Sequence, residues 1–504
     1  MQTERASGIL LHPTSLPGPH GCGDFGPAAY HFVDWLAAAG QSLWQVLPLG
    51  GVGPGNSPYM SSSAFAGSLL FIDLADLARQ GWLDAEHLEP APGLRAGQVD
   101  YGATRSYRLE RLTRAAQCFF ERASPEQRLD YQRFCAAQHG WLDDYALFMT
   151  LDAAHPGCEW PDWETALVRR EPAALADALR RHDTEIAFWK FCQWNFARQW
   201  QALRAHANAR GVRLVGDLPI FIAFHSAEVW ANQHLFELDA HGRASVVAGV
   251  PPDYFSATGQ RWGNPLYRWS AHAADGYAWW VARMRHSMEL YDLVRVDHFR
   301  GFEAYWEIPA AEPTAMHGRW VSGPGSALFG ALQDALGGLP IIAEDLGIIT
   351  EEVVALRKRH GLPGMLILQF AFGGKADNPY LPHNHAADAV VYTGTHDNDT
   401  TLGWWAAAGA PEREHAMRYL GFSGEQDLEW RFLATAAASV AKFAIHPLQD
   451  VLGLDGTHRM NLPGKSEGHW EWRFGWDQVQ PHHGDKLREI TALYGRLPGQ
   501  YGQG

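Results

Sequence analysis

The stretch LVRVDHFR (293–300) sets four apolar residues, Leu293, Val294, Val296 and Phe299, around Arg295, Asp297 and His298. Its apolar, β-branched part reads as the interior of a buried strand, and the charged residues come where that strand would end. Seven further runs have the same character: SGILLHP (7–13), SLWQVLPLG (42–50), VRLVGDLPI (212–220), LPIIAEDL (339–346), GMLILQF (364–370), AVVYTGTHD (389–397) and KFAIHPLQD (442–450). Bounded by Gly, Pro or polar residues, they fit parallel strands covered on both faces, although periodicity alone also admits buried helical turns. Helical patterns lie between them. AAYHFVDWLAAAG (28–40) ends in a C-capping glycine, YAWWVARMRHSMELY (277–291) has apolar residues at helical spacing, and TEEVVALRKRHG (350–361) has Thr350 as N-cap and basic residues in its last turn. Eight strands alternating with helices count out to an α/β fold, a (β/α)8 TIM barrel.

Two spacings exceed a simple βα unit. Residues 51–211 read as a largely helical insertion after strand 2, and residues 221–291 as an aromatic, loop-rich insertion after strand 3. Both follow strands, which places them over the C-terminal face, where barrel active sites lie. The expected organisation is one catalytic barrel over residues 1–504. With Ser7 opening the first strand, no sugar-binding module is expected ahead of it.

Charged residues make up 19% of the 504 and the formal net charge is −15, which argues against nucleic acid and anionic membranes as partners. No run approaches the roughly 20 apolar residues of a membrane span, and the first residues lack the apolar stretch of a signal peptide. Five cysteines, an odd number without C-x-x-C spacing, fit a reduced, cytoplasmic setting. The 22 tryptophans admit two readings, a thick core or a groove paved for flat ligands.

Position gives the acids their meaning. Asp217, Asp297, Glu344 and Asp397 each close an apolar run, so all four would project from one end of the barrel into one pocket. Crowded carboxylates share protons unequally, which supplies both an acid and a nucleophile, the pair that glycosidic bond cleavage requires. Arg295, two residues before Asp297 and so on the same strand face, is expected to keep Asp297 ionised. His298 and Arg300 fit structural hydrogen bonding. His396 serves either a sugar hydroxyl or its own loop. Asp397 and Asp399 could coordinate a cation, but no second cluster completes a ligand set, so neither metal nor cofactor is expected.

At these residues the chain closely resembles the 4-α-glucanotransferases (amylomaltases or disproportionating enzymes) of glycoside hydrolase family 77. The shared stretches include LLHPTSLPG (10–18), SPY with SAFAG (57–67), GDLPIF (216–221), GVPPDYFS (249–256), RWGNPLY (261–267), RVDHFRG (295–301), GRWVSGPG (318–325), AEDLG (343–347), THDNDT (395–400) and RMNLPG (459–464). The resemblance implies Asp297 as nucleophile of a covalent β-glucosyl intermediate, Glu344 as general acid/base and Asp397 as the carboxylate that stabilises the transition state. It implies donor-site contacts from Tyr59, Asp217, Arg295 and His396. Tyr254, Phe255 and Trp262 would form a loop over the glucan, with Phe370 on the acceptor side and Asn461 in a second covering loop. The implied activity is a retaining transfer between α-1,4-glucans or maltooligosaccharides, glucose serving as an acceptor, by a monomer or weak homo-oligomer. Retention asks for the Asp297 and Glu344 carboxyls to lie roughly 5–5.5 Å apart.

The sequence also departs from the family pattern. GVGPGNSPY (51–59) has Pro54 where a tyrosine of a remote glucan groove is common, leaving Tyr101 as that groove's possible remnant. FAGSL (65–69) replaces FAGNP, and Gly373 stands where an aspartate is common. A hydrolase of the same substrates, and a non-catalytic glucan-binding barrel, are the competing readings.

Overall fold

All eight apolar runs become strands of one sheet in the computed structural model, which describes residues 5–499 apart from 92, 253–255, 425 and 466. In chain order the strands are β1 (Ala6–Leu10), β2 (Leu43–Gln45), β3 (Arg213–Pro219), β4 (Val246–Val250), β5 (Gln260–Pro265), β6 (Leu293–Asp297), β7 (Ala304–Pro309), β8 (Arg319–Ser322), β9 (Ile341–Ala343), β10 (Gly364–Ile367), β11 (Ala389–Tyr392) and β12 (Phe443–Pro447). The parallel sheet runs β10-β11-β12-β1-β2-β3-β6-β9. Between β9 and β10 two hydrogen bonds stand in for a ladder. Ala343 N–H donates to Pro363 O at 2.9 Å, and Met365 N–H donates to the Asp345 side chain at 2.8 Å. The result is a nearly closed (β/α)8 barrel.

Alternation along each strand separates two cores. Leu10, Leu43, Val215, Ile342, Met365, Val390 and Ile445 fill the barrel interior. Val294 and Val296 belong to the larger cluster between wall and helices, with Met284, Phe329 and Leu332 of the helices Ala278–Leu290 and Gly325–Leu336. Asp292 fixes register at the floor, accepting from Leu214 N at 2.8 Å and from Arg204 at 2.7 Å.

Within 51–211 lie the helices Tyr101–Arg122, Pro125–Ala154 and Asp183–Ala209, the first two N-capped by Asp100 and by a Ser124–Gln127 capping box. The last helix turns glutamines inward. Gln193 exchanges two 2.8 Å hydrogen bonds with the backbone of Gly67, while Glu228 accepts from Ser63 Oγ at 2.7 Å and Ala64 N at 2.9 Å. These bonds hold the loop that carries Tyr59. Trp44, Trp160, Trp200, Trp230 and Trp280 are fully buried, so much of the tryptophan surplus is core.

Two features differ from the sequence reading. The stretch read as loops contains β4 and β5, which join β7 and β8 in an antiparallel sheet ordered β5-β4-β7-β8. Its strands are short, partly exposed and carry Gly and Pro, so they lack the apolar signature of the wall. The β10–β11 crossover uses the 3-10 turns Leu368–Phe370 and Pro382–Asn384 in place of an α-helix, as its Gly, Pro and Asn content favours. None of the five cysteines is in a disulfide. Among the described residues no helix is long and apolar enough to cross a membrane.

Candidate active site

Register brings the acids together. Val215 faces the barrel interior, so Asp217, two residues on, does too. Asp217 pairs in register with Arg295, and Pro219 with Asp297. On the other edge of β6, Val296 pairs with Ala343, and Glu344 N–H extends the ladder to Val296 O at 3.0 Å. Asp297 and Glu344 therefore close adjacent strands at the same level, above the layer of Asp217 and Arg295. Gly216 admits the Tyr291 ring so closely that a Cβ would lie 2.2 Å from it, which fixes β3 against the next segment.

Arg295 is shared between two acids. Its NH1 meets both Asp217 oxygens at 2.7 Å, and its NH2 meets Asp297 Oδ1 at 2.8 Å. The Asp217 side chain is wholly buried, whereas that of Asp297 is 30% exposed. Burial opposes the charge on Arg295, but Asp217 and Asp297 outweigh it and hold its pKa well above the ordinary value. One cation divided between two carboxylates leaves Asp297 less protected than the sequence implied. Burial pushes the Asp297 carboxyl up to about 8 against the pull of Arg295, with the Glu344 charge adding to the rise. Arg295 favours the ionised form of Asp297, as its place on the strand implies, but burial and the neighbouring acids oppose it.

Glu344 is held by the backbone. His298 adopts the left-handed region (φ 51°), uncommon for a non-glycine residue, and its N–H donates to Glu344 Oε2 at 2.6 Å. Leu346 N donates to Oε1 at 2.9 Å. Burial still raises the Glu344 pKa, with Arg295 and these two N–H groups opposing. Two neighbouring carboxyls, Glu344 buried and Asp297 partly so, both raised, share protons as one unit. Burial pushes the His298 imidazole down to about 3, so it stays neutral, and Arg300 donates to Ile348 O at 2.6 Å, a structural contact.

Asp397 is set by loops. Asn461 Nδ2 donates to its Oδ1 at 2.6 Å, His396 Nε2 lies 3.4 Å from Oδ2, and Arg459 donates to its backbone oxygen at 2.9 Å. Its side chain is 42% exposed. Asp450, buried beneath, accepts from Thr393 Oγ1 at 2.5 Å and Thr401 N at 2.7 Å, bracing both ends of the loop. Tyr59 links the two groups of acids: its hydroxyl is 2.7 Å from Asp217 Oδ2 and 2.8 Å from His396 Nε2. A carboxylate paired with arginine only accepts, so the tyrosine hydrogen goes to Asp217 and His396 donates its Nε2–H to Tyr59. Burial lowers the His396 pKa, consistent with the neutral ring.

The aromatic residues divide. The Trp262 ring stands edge-on to His298, centroids 4.8 Å apart. Phe370 is exposed and edge-on to Tyr380 at 5.5 Å. Tyr254 and Phe255 lie outside the described residues. Tyr101 is buried, its hydroxyl donating to Trp470 O at 2.8 Å, so it offers no open platform for a remote glucan. It instead braces Trp470, whose ring lies 5.8 Å from those of Tyr59 and His396. Arg459, Asp450, Trp470 and Asp345 escaped the sequence reading; Arg459 and Asp345 were within its reach, being neighbours of singled-out residues in RMNLPG and AEDLG. Asp399 is engaged by Thr400 N at 2.8 Å. Among the described residues, Asp84, Glu86 and His87 form a group with metal-like spacing, in a separate and largely exposed turn.

The family profile described as 4-alpha-glucanotransferase, glycoside hydrolase family 77, matches residues 11–478. The 4-alpha-glucanotransferase of Thermus thermophilus is 51% identical over 504 residues, covering 99% of this chain and 100% of its own. That of Synechocystis is 48% identical over 499 residues, covering 98% and 99%. The solved amylomaltase from Streptococcus agalactiae in complex with acarbose superposes with a TM-score of 0.95 at 36% identity, covering 98% of this chain and 100% of that one.

Proposed function

The chain belongs to the 4-alpha-glucanotransferases of glycoside hydrolase family 77 and is an enzyme acting on glucans, and from that premise we propose that it moves α-1,4-glucan segments by a retaining double displacement centred on Asp297 and Glu344. The observation that carries this reading is the register of β3, β6 and β9. It sets Asp297 beside Glu344, with the Asp217–Arg295 pair one layer beneath.

The proton shared by the pair sits on Glu344 when substrate is bound, because Arg295 contacts Asp297 directly. Glu344 gives that proton to the glycosidic oxygen while Asp297 Oδ attacks the anomeric carbon, and the leaving chain departs as an alcohol. The ester that remains is broken when Glu344 takes the proton of an incoming 4-hydroxyl, which attacks the same carbon and displaces Asp297. Bond count and charge return to the start, and the anomeric configuration is retained. Asp397, fixed by Asn461, and the Tyr59–His396 pair hold the hydroxyls of the donor ring. Trp262, held edge-on to His298, covers that ring on the opposite side, which disfavours water as the attacking group.

The substrates are maltooligosaccharides and starch-type chains, glucose being the smallest acceptor. The reading extends to a cytoplasmic monomer or weak homo-oligomer, and to a domain organisation in which residues 51–211 and 221–291 shape the mouth of one barrel. Incubation with maltotriose tests it. Transfer yields longer and shorter chains at a constant number of reducing ends; a steady rise in reducing ends equal to the bonds broken would make the enzyme a hydrolase.

A further inference from the structure

Three successive strands of the wall lead into loops that leave a large apolar side chain in water. Trp320, on β8 beyond β6, is 40% exposed; Ile348, beyond β9, is 53% exposed; Phe370, at the end of β10, is 36% exposed. The middle strand is the one that ends in Glu344. Other exposed apolar side chains lie on helices (Leu129, Leu179, Leu493) or on loops (Met316, Val440, Leu462). Large apolar side chains left in water on the loops around a catalytic acid point to a binding surface.

Trp320 is held rigidly. Its ring stands edge-on to Trp306 at 5.2 Å, and the Arg300 guanidinium lies 3.8 Å from its centroid. Arg300 is itself buried and donates to Ile348 O at 2.6 Å. The tryptophan, the arginine and the acid/base loop thus form one connected unit. On the other flank Phe370 packs on Tyr380, whose hydroxyl is near enough to Asp345 and Glu344 to feel their charges.

We propose that Trp320 and Ile348 extend the acceptor side into a track for an α-1,4-glucan of several rings. The first ring lies against Glu344 and the following rings stack on the tryptophan. The inference rests on the transfer reading, since the attacking hydroxyl must arrive where Glu344 can take its proton.

Isotopically labelled glucose and labelled maltotetraose, each used as acceptor with amylose as donor, test it in the intact enzyme. In W320A the KM for maltotetraose rises about fivefold, while that for glucose stays within about twofold, as does the acceptor-free rate of donor cleavage. I348A raises the maltotetraose KM by about twofold, and W320Y keeps it within about twofold of the parent. An unchanged maltotetraose KM in both W320A and I348A, or an equal rise for glucose and maltotetraose, overturns the track. A parent enzyme that incorporates neither label and only makes reducing ends overturns the transfer reading itself, and the track with it.

Discussion

The two sides of Asp297 are built on opposite principles. On the proposed donor side, Asp217, Arg295 and His396 are buried, Tyr59 is partly buried, and the four are hydrogen-bonded to one another, so none can move without stranding a polar group. Beyond Glu344 the surface is open and apolar, with Trp320, Ile348 and Phe370 in water. A donor ring must be held hydroxyl by hydroxyl while its bond breaks, which directional contacts do. An acceptor chain of any length needs only to be laid down near the acid, and stacking tolerates that variety.

The largest effect should come from the two carboxylates between these sides. Asp297→Ala or Glu344→Gln is expected to lower transfer by ~10⁴-fold or more while the fold persists by circular dichroism; activity within about tenfold of the parent refutes the assignment. Next comes the donor side. Arg295→Leu leaves two acids without their cation, at a cost of about 3–5 kcal/mol, which urea unfolding would read. Transfer should fall on the order of 100-fold, and unaltered stability would show that the buried pair is not the brace described here.

Changing pH sharpens the contrast from the middle. The working state has one proton on the Asp297–Glu344 pair. With Asp297 raised to about 8, that proton is retained below this pH and lost above it, so the acid disappears as pH rises. The rate at low substrate should drop about fivefold between pH 8 and 9 and about tenfold for each further pH step, and a profile flat to pH 10 would contradict the shared proton. Smaller again, Asn461→Ala removes the 2.6 Å bond to Asp397 and should lower kcat about fivefold. The acceptor-side effect of W320A lies at the foot of this scale and in a different parameter, KM for a long acceptor.

The eight wall strands were legible because each is apolar on both faces, and the four acids because each follows such a run. The sheet β5-β4-β7-β8 was not, since its strands are short, half-exposed and paired across 304–322, far along the chain. Tyr101 misled for a related reason: its neighbour Trp470 is 369 residues away, and no local pattern shows that contact. The pull of Arg295 on Asp297 was legible from their two-residue spacing, but not that Asp217 engages the same guanidinium or that burial works against it. Trp320 lies in GRWVSGPG (318–325), one of the stretches that carry the resemblance, but its exposure is invisible until the strands around it are assembled.

Asp297 and Glu344 are also anchored differently, and the anchoring lies in how the cylinder closes. The β6 strand is flanked by neighbours on both edges, β3 and β9, so Asp297 rides on an ordinary section of wall. Glu344 rides on the leaf next to the joint, where Asp345 replaces a missing rung by accepting from Met365 N. Replacing that one carboxylate would leave a single hydrogen bond, Ala343 N–H to Pro363 O, across the joint and loosen the hold on Glu344 with the rest of the wall intact. The spacing on which retention depends is therefore a property of ring closure as much as of strand pairing.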